Sequence, residues 1–178
     1  MASDSKDIWI KAGYKDFAIK GFRELKIERL SIAVEKNKSS FYHHFADLEI
    51  FIDLLLKHHI EQARIMADKE RNAQNIDPEL VHILAEHRID LLFNRQLRIN
   101  KNISKFAKTL DISNELTGNG FIQVWMKDSP LNLTQPQIEG LFSLALENFF
   151  LQIHQDNISV EWLQDYFAEL KKLTSSFG

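Results

Sequence analysis

Apolar residues recur at intervals of three and four along nearly the whole chain, and alternating, strand-like runs are almost absent. The pattern predicts an all-α protein. A first helix runs from about Ser5 to Phe22, with Ile10, Tyr14, Phe17 and Ala18 on one face. Gly21 is placed to stop it. A short helix over 27–34 turns Ile27, Leu30 and Val34 inward. After the polar break Glu35-Lys36, Asn37 is placed to cap a brief third helix over 38–44, since its side-chain oxygen accepts from the freed amides. That helix has Phe41, followed by Phe45, on its inner side. Its outer side offers Lys38, Ser39 and His43, with Ser40 beside them.

Asp47 is expected to cap a long fourth helix that reaches about Arg71 and carries Ile50, Phe51, Leu54, Leu55, His58 and Ala63. Glu49 sits in its first turn, where the helix dipole favours an anion. Residues 72–76 form a polar linker. Asp77-Pro78 has the pattern of an N-cap and first helical residue, opening a helix to about Arg95. A less regular stretch over 96–110 holds Ile99, Ile103, Phe106 and Leu110, and another helix spans about 113–127 with Gly118 and Gly120 inside it. Thr134-Gln135-Pro136-Gln137 has capping-box spacing and starts an apolar helix to about Gln155. The last helix starts at Asn157 or Ser159 and ends near Leu173.

Composition agrees with a packed helical chain: of 178 residues 44% are hydrophobic, with thirteen Phe against six Gly and three Pro. The absence of Cys excludes disulfides and thiolate metal sites and suits a reducing cytoplasm. The polar start Met1-Ala2-Ser3-Asp4 has no apolar core of signal-peptide length. The longest apolar run, Ile50 to Leu56, is broken by Asp53 and is too short to span a bilayer. A cytoplasmic protein without a membrane partner is the expectation. The net charge of −3 is unevenly spread: residues 11–38 hold eight Lys/Arg and four Asp/Glu. A locally basic end on an acidic body suits a DNA-facing module, and an ordinary solvated surface gives such a count too.

Two short helices joined by a tight turn, the second polar outside and aromatic inside, suit insertion into a major groove about 12 Å wide. The segment Leu25-Lys26-Ile27-Glu28-Arg29-Leu30-Ser31, then Val34, then Lys38-Ser39-Ser40-Phe41-Tyr42-His43-His44-Phe45, resembles the signature of TetR-family regulators. The upstream family pattern appears as Trp9-Ile10, Ala12-Gly13, Phe17-Ala18 and Gly21, and Glu49 and Phe51 follow downstream. The resemblance covers about residues 8–56. It implies a three-helix DNA-binding domain over 1–47 and a helical ligand-binding and dimerisation domain over 48–178. By the same resemblance Lys26, Lys38, Tyr42 and His44 hold DNA phosphates, while Ser39, Ser40 and His43 lie nearest base edges. Asn37 caps the helix or touches a base. Departures from the pattern are Glu35-Lys36-Asn37 at the turn, where the family has Gly, an aliphatic residue and Ser. Leu48 stands where a phosphate-reaching Lys is common, and Lys26 where Thr is. Lys26 and Lys36 are placed to supply phosphate contacts from new positions. A Glu at the turn has to strain or reshape it, because Gly alone takes a positive φ at little cost.

The two C-terminal helices are apolar on more than one face, which argues for burial on two sides. The resemblance implies that the second side is another copy of the chain, with Leu141, Phe142, Ala145, Phe149, Trp162, Tyr166 and Leu170 at the interface; a thick internal core is the other reading. It also implies a small-molecule effector pocket among the middle helices. Met66, Phe93, Phe106, Phe121 and Trp125 are candidates for its wall, with His82, His87 or Asn119 as polar partners, although such an aromatic stripe equally suits core. His43-His44 and His58-His59 are adjacent pairs whose rings diverge, and His82 and His87 are not at helical ligand spacing, so no metal is expected. There is no phosphate loop, nucleophile elbow or dinucleotide fingerprint. Neither an enzyme nor a cofactor is expected. The leading reading is therefore a homodimeric regulator, a repressor by preference, that binds double-stranded palindromic DNA and responds to a small molecule. The alternatives are an adaptor of the same fold that works through protein partners, favoured by the unusual turn and Leu48, and a helical carrier of an apolar ligand.

Overall fold

The computed structural model describes residues 2–129 and 131–175. Met1 and Gly178, the outer ends of the two expected domains, lie outside them. Among the described residues the secondary structure is helical throughout, with no strand.

Helix α1 spans Ala2–Lys20, three residues earlier in its start than the apolar pattern suggests. It ends two residues before the expected Phe22, stopped by Gly21. Gly21 has φ 84°, a conformation that costs glycine little, and its amide closes on the Phe17 carbonyl at 2.9 Å. After a single 3₁₀ turn, Phe22–Glu24, come α2 (Ile27–Ala33) and α3 (Lys38–His44). Asn37 caps α3 by accepting from the Ser40 amide at 2.8 Å. Asp47 caps α4 (Leu48–Asn72) in the same way, from the Ile50 amide. Helices α1, α3 and α4 meet in one aromatic cluster. Trp9 meets Phe41 edge-on at 5.3 Å, and Phe41, Phe45 and Phe51 lie within 4.8–5.1 Å of one another. Trp9, Phe41 and Phe51 are fully buried and Phe45 nearly so. Rings of this size supply most of the apolar burial that fixes α3 against α1 and α4.

The region after α4 departs from expectation in three places. Asp77-Pro78 does not start a helix: Asp77 is extended at φ −118°, ψ 120°, and Asn75 is the cap, accepting from the Glu79 amide at 3.1 Å across the wide turn Ile76–Leu80. The helix expected over 77–95 is broken at His87 into α5 (Val81–Glu86) and α6 (Arg88–Ile99). The stretch 96–110 is not irregular. After a tight turn at 100–103, α7 begins at Ser104 and runs unbroken to Asp128, through Gly118 and Gly120. Helix α8 (Gln135–Gln152) opens at Thr134, whose amide and hydroxyl both donate to Gln137 Oε1 at 2.9 Å. Helix α9 spans Val160–Ser175.

α1 is also tied to the body. Phe93 of α6 stacks between Tyr14 and Phe17, at ring separations of 4.4 and 4.3 Å. Phe106 of α7 packs edge-on against Phe17 and Phe22. The helix that supports α3 is thus the helix that meets the middle of the molecule. No helix among the described residues is long and apolar enough to cross a membrane.

Candidate nucleic-acid interface and ligand cavity

The turn between α2 and α3 is a complete Schellman closure: Lys36 N–H donates to the Ser31 carbonyl at 3.0 Å and Glu35 N–H to the Ile32 carbonyl at 3.2 Å. The closure needs a left-handed residue, and Glu35 takes it at φ 54°. The turn therefore keeps the shape a Gly would give it, at a backbone cost of about 1–2 kcal/mol.

This turn presents Lys36, Asn37, Lys38, Ser39, Tyr42 and His43 as one exposed surface, with Lys26 exposed at the start of α2. Ser40 and His44 are half-buried. His44 Nε2 lies 3.1 Å from Ser5 Oγ, which turns its ring toward α1. The Asn37 side chain is engaged as the α3 cap. Several cations here already have acidic neighbours. Lys38 pairs with Glu28 at 2.7 Å and Lys26 lies 4.0 Å from Glu24. Arg29 is held by Asp16 and Glu24. The Lys38 ammonium holds the exposed Glu28 carboxyl below its usual range. Lys36 stands exposed at the tip of the turn.

A second site lies in the body. Helices α4, α6, α7, α8 and α9 enclose a cavity of about 390 Å³, within the range of small-molecule sites. One stripe of α4 forms a wall: His59, Ala63, Met66 and Glu70, spaced four, three and four residues apart. Asn94 and Arg98 face it from α6, Ser113 and Phe121 from α7, and Phe142 and Phe149 from α8. Arg98 is fixed by Asn94, Asn114 and Glu147 and lies 4.3 Å over the Phe150 ring.

A buried hydrogen-bond chain runs up to the cavity. Lys69, itself paired with Glu86, reaches His87 Nε2 at 3.2 Å; His87 Nδ1 lies 2.7 Å from Asp90 Oδ2. Tyr14 OH donates to Asp90 Oδ1 at 2.7 Å and lies 2.8 Å from His59 Nδ1. Burial raises the Tyr14 hydroxyl well above its ordinary pKa, helped by the Asp90 charge. Burial pushes His59 down to about 4 and the Glu70 carboxyl up to about 8. His59 Nε2 and Glu70 Oε2 are buried without a hydrogen-bond partner.

Of the expected pocket residues, Met66, Phe121 and Asn119 line this cavity. The other five do not. Phe93 and Phe106 are consumed by stacking against α1, and Trp125 is fully buried behind Phe121 and Phe142. His87 is held by Asp90 and Lys69, and His82 is exposed. His59, Glu70, Asn94 and Arg98 are among the polar lining residues that sequence reasoning missed. The signal was present, since His59 and Glu70 fall on the apolar stripe of α4 with Ala63 and Met66. Of the expected interface residues, Phe142 and Phe149 are buried inside this chain, and Ala145, Tyr166 and Leu170 stand with them around the cavity. Leu141 and Trp162 are half-buried. The outward apolar residues of α8 are instead Leu144 and Leu151, 73% and 79% exposed, with Leu173 of α9 at 64%.

No family model matches the chain, and no curated protein sequence does. Among solved structures, a protein from Rhodococcus sp. provisionally assigned as a TetR-family transcriptional regulator superposes on 97% of this chain and 98% of its own, with a TM-score of 0.59 and 16% identity. The chain has the TetR fold. The packing of α3 on α1 through Trp9 and Phe41 is the local reason the short helix holds its place. Among the described residues, no three His, Asp or Glu gather closely enough to hold a metal ion.

Proposed function

We propose that this TetR-fold chain is a DNA-binding transcription regulator, a repressor by preference, with a DNA-binding head over residues 1–47 and an effector-binding and dimerising body over 48–178. The observation that carries the reading is the exposed polar face of α3 on a preserved turn. Lys38, Ser39 and His43 point outward while Phe41 is buried beneath them. Such a helix fits a major groove, with its lysines on phosphates and its short polar side chains on base edges. Lys26, Lys36, Lys38 and Tyr42 are the phosphate candidates; Ser39, Ser40 and His43 are the base candidates.

Two copies joined through the outer faces of α8 and α9 would set two heads about one helical turn, roughly 34 Å, apart on a palindromic site. Leu144 and Leu151, seven residues apart on one face of α8, support that pairing, with Leu141 and Trp162 at its margin. An effector in the body cavity would act only by binding the DNA-competent and DNA-free conformers unequally. Tyr14 supplies a physical route, since it belongs to α1 and its hydroxyl meets both His59 on the cavity wall and Asp90.

The test is binding of the purified protein to labelled DNA from upstream of its own gene, against a scrambled duplex. A specific complex that is lost in Lys36→Glu and Lys38→Glu supports the regulator. A folded dimer that ignores every duplex from a genome-wide selection overturns it. The adaptor reading draws support from one observation, that Lys26, Arg29 and Lys38 are partly neutralised by acids of the same head. In that case charge reversal at Lys36 and Lys38 leaves function intact.

A further inference from the structure

Two residues of α4 that line the cavity each carry a buried polar atom without a partner. His59 is 2% exposed and Glu70 1% exposed, and neither His59 Nε2 nor Glu70 Oε2 has a partner. Buried polar atoms are rarely left unpaired, because each costs about 1–3 kcal/mol. Eleven residues separate the two, very nearly three helical turns, so they share one face about 16 Å apart along the axis. Ala63 and Met66 lie between them. The wall is therefore polar at each end and apolar in the middle.

The hydrogen-bond chain fixes what His59 offers. A tyrosine hydroxyl has one proton, and Tyr14 gives it to Asp90, which accepts only. His59 Nδ1 must then donate to the Tyr14 oxygen. Burial keeps the ring neutral, so Nε2 holds a lone pair and no proton. The same polarity holds on the far side, where Lys69 and His87 both direct protons toward Asp90. His59 thus brings an acceptor to the cavity wall.

Charge is equally constrained. Arg98 is the one Lys or Arg among the described residues of the lining, and Glu147 already pairs with it. Glu115 and Glu139 also line it and are exposed. Nothing there compensates a buried anion. Given the effector-cavity reading on which this rests, we propose that the cavity takes an elongated, uncharged, largely apolar molecule whose hydrogen-bond donor, a hydroxyl or N–H, docks on His59 Nε2. A site built around a buried acceptor discriminates strongly against an analogue that lacks the donor, because the acceptor is then left unpaired again.

Four probes with the same alkyl chain test this by titration calorimetry on the full chain at pH 7: 1-decanol, decyl methyl ether, decanoate and decyltrimethylammonium. The alcohol should bind at least tenfold tighter than the ether and at least tenfold tighter than either ion. In His59→Phe, which keeps a ring but no acceptor, the alcohol and ether should come within threefold of each other. The wild-type comparison stands alone if that variant does not fold. Equal affinity for alcohol and ether overturns the docking on His59 while leaving an apolar cavity. Tighter binding of the ammonium shows that Glu70 reads a cation, and tighter binding of decanoate that Arg98 is free to pair; either overturns the uncharged ligand. Saturable binding of none of the four removes the effector cavity itself and this proposal with it.

Discussion

Replacing Glu70 by Gln isolates the electrostatic cost of the cavity floor. The two side chains have nearly the same shape, and Gly120 of α7 leaves the room either one needs: a Cβ built there would lie 2.9 Å from the Glu70 Cβ and Oε2. Burial raises the Glu70 carboxyl from 4.5 to about 8. The folded chain therefore holds a proton that the unfolded chain releases above pH 4.5. By linkage its contribution to stability is fully present below pH 4.5 and is lost as pH rises toward 8. Between pH 6 and pH 8 that loss is roughly 2 kcal/mol. His59 acts in the opposite sense. Its pKa is depressed to about 4, so the unfolded chain takes up a proton below 6.5 that the folded one refuses, and stability falls as pH drops from 6.5 toward 4. The two effects offset each other between about pH 4.5 and 6.5, and Glu70 acts without that offset above. Urea unfolding of wild type and Glu70→Gln at pH 6, 7 and 8 measures the difference. The amide brings its own unpaired polar atoms, a constant cost of about 1–3 kcal/mol, so Glu70→Gln starts less stable at pH 6 and should gain on wild type by about 2 kcal/mol at pH 8. Parallel pH profiles, differing by under about 0.5 kcal/mol in slope across that window, would refute the reasoning.

Three further perturbations probe other links of the account. Tyr14→Phe removes the one hydroxyl between Asp90 and His59. It should cost about 2–4 kcal/mol by urea unfolding, since it strands two buried polar atoms, and a cost below about 0.5 kcal/mol would show the chain to be unimportant. Glu35→Gly relieves a left-handed residue at φ 54°; the gain of about 1–2 kcal/mol is partly offset by the entropy of Gly in the unfolded chain, leaving up to about 1 kcal/mol of stabilisation. A lower melting temperature in that variant would contradict the Schellman reading of the turn. Leu144→Glu with Leu151→Glu places charge on the outer face of α8 and should convert a sedimenting dimer into a folded monomer with unchanged helical circular dichroism; an unaltered dimer would put the interface elsewhere.

The head was legible because each local choice agrees with the next. Asn37 and Asp47 are strong caps directly before apolar runs, Gly21 stops α1, and Phe41 and Phe45 could face only the α1–α4 side. The body was less legible where two signals compete. Asn75 outcompetes Asp77 as the cap two residues earlier, and the break at His87 has no Gly or Pro to announce it. Periodicity also identifies an apolar face without saying what covers it. α8 has two such faces, and sequence assigned Phe142 and Phe149 to the outside when the structure turns them in and leaves Leu144 and Leu151 out. Phe93 and Phe106 belonged to an aromatic stripe that serves α1 packing. His59 was weighed only as half of an adjacent histidine pair and Glu70 only as a solvated helix charge, yet both are buried, since one polar residue on an apolar stripe looks ordinary until the cavity beside it is seen.

The salt dependence of binding to the upstream duplex tests the central claim most directly. Lys26, Lys36 and Lys38 from each of two heads would release about five counterions, so the logarithm of affinity should fall with the logarithm of salt at a slope near −5. Lys36→Glu should flatten that slope as well as weaken the complex. A slope near zero, or affinity equal for scrambled DNA at every salt concentration, would contradict a sequence-reading head on this fold.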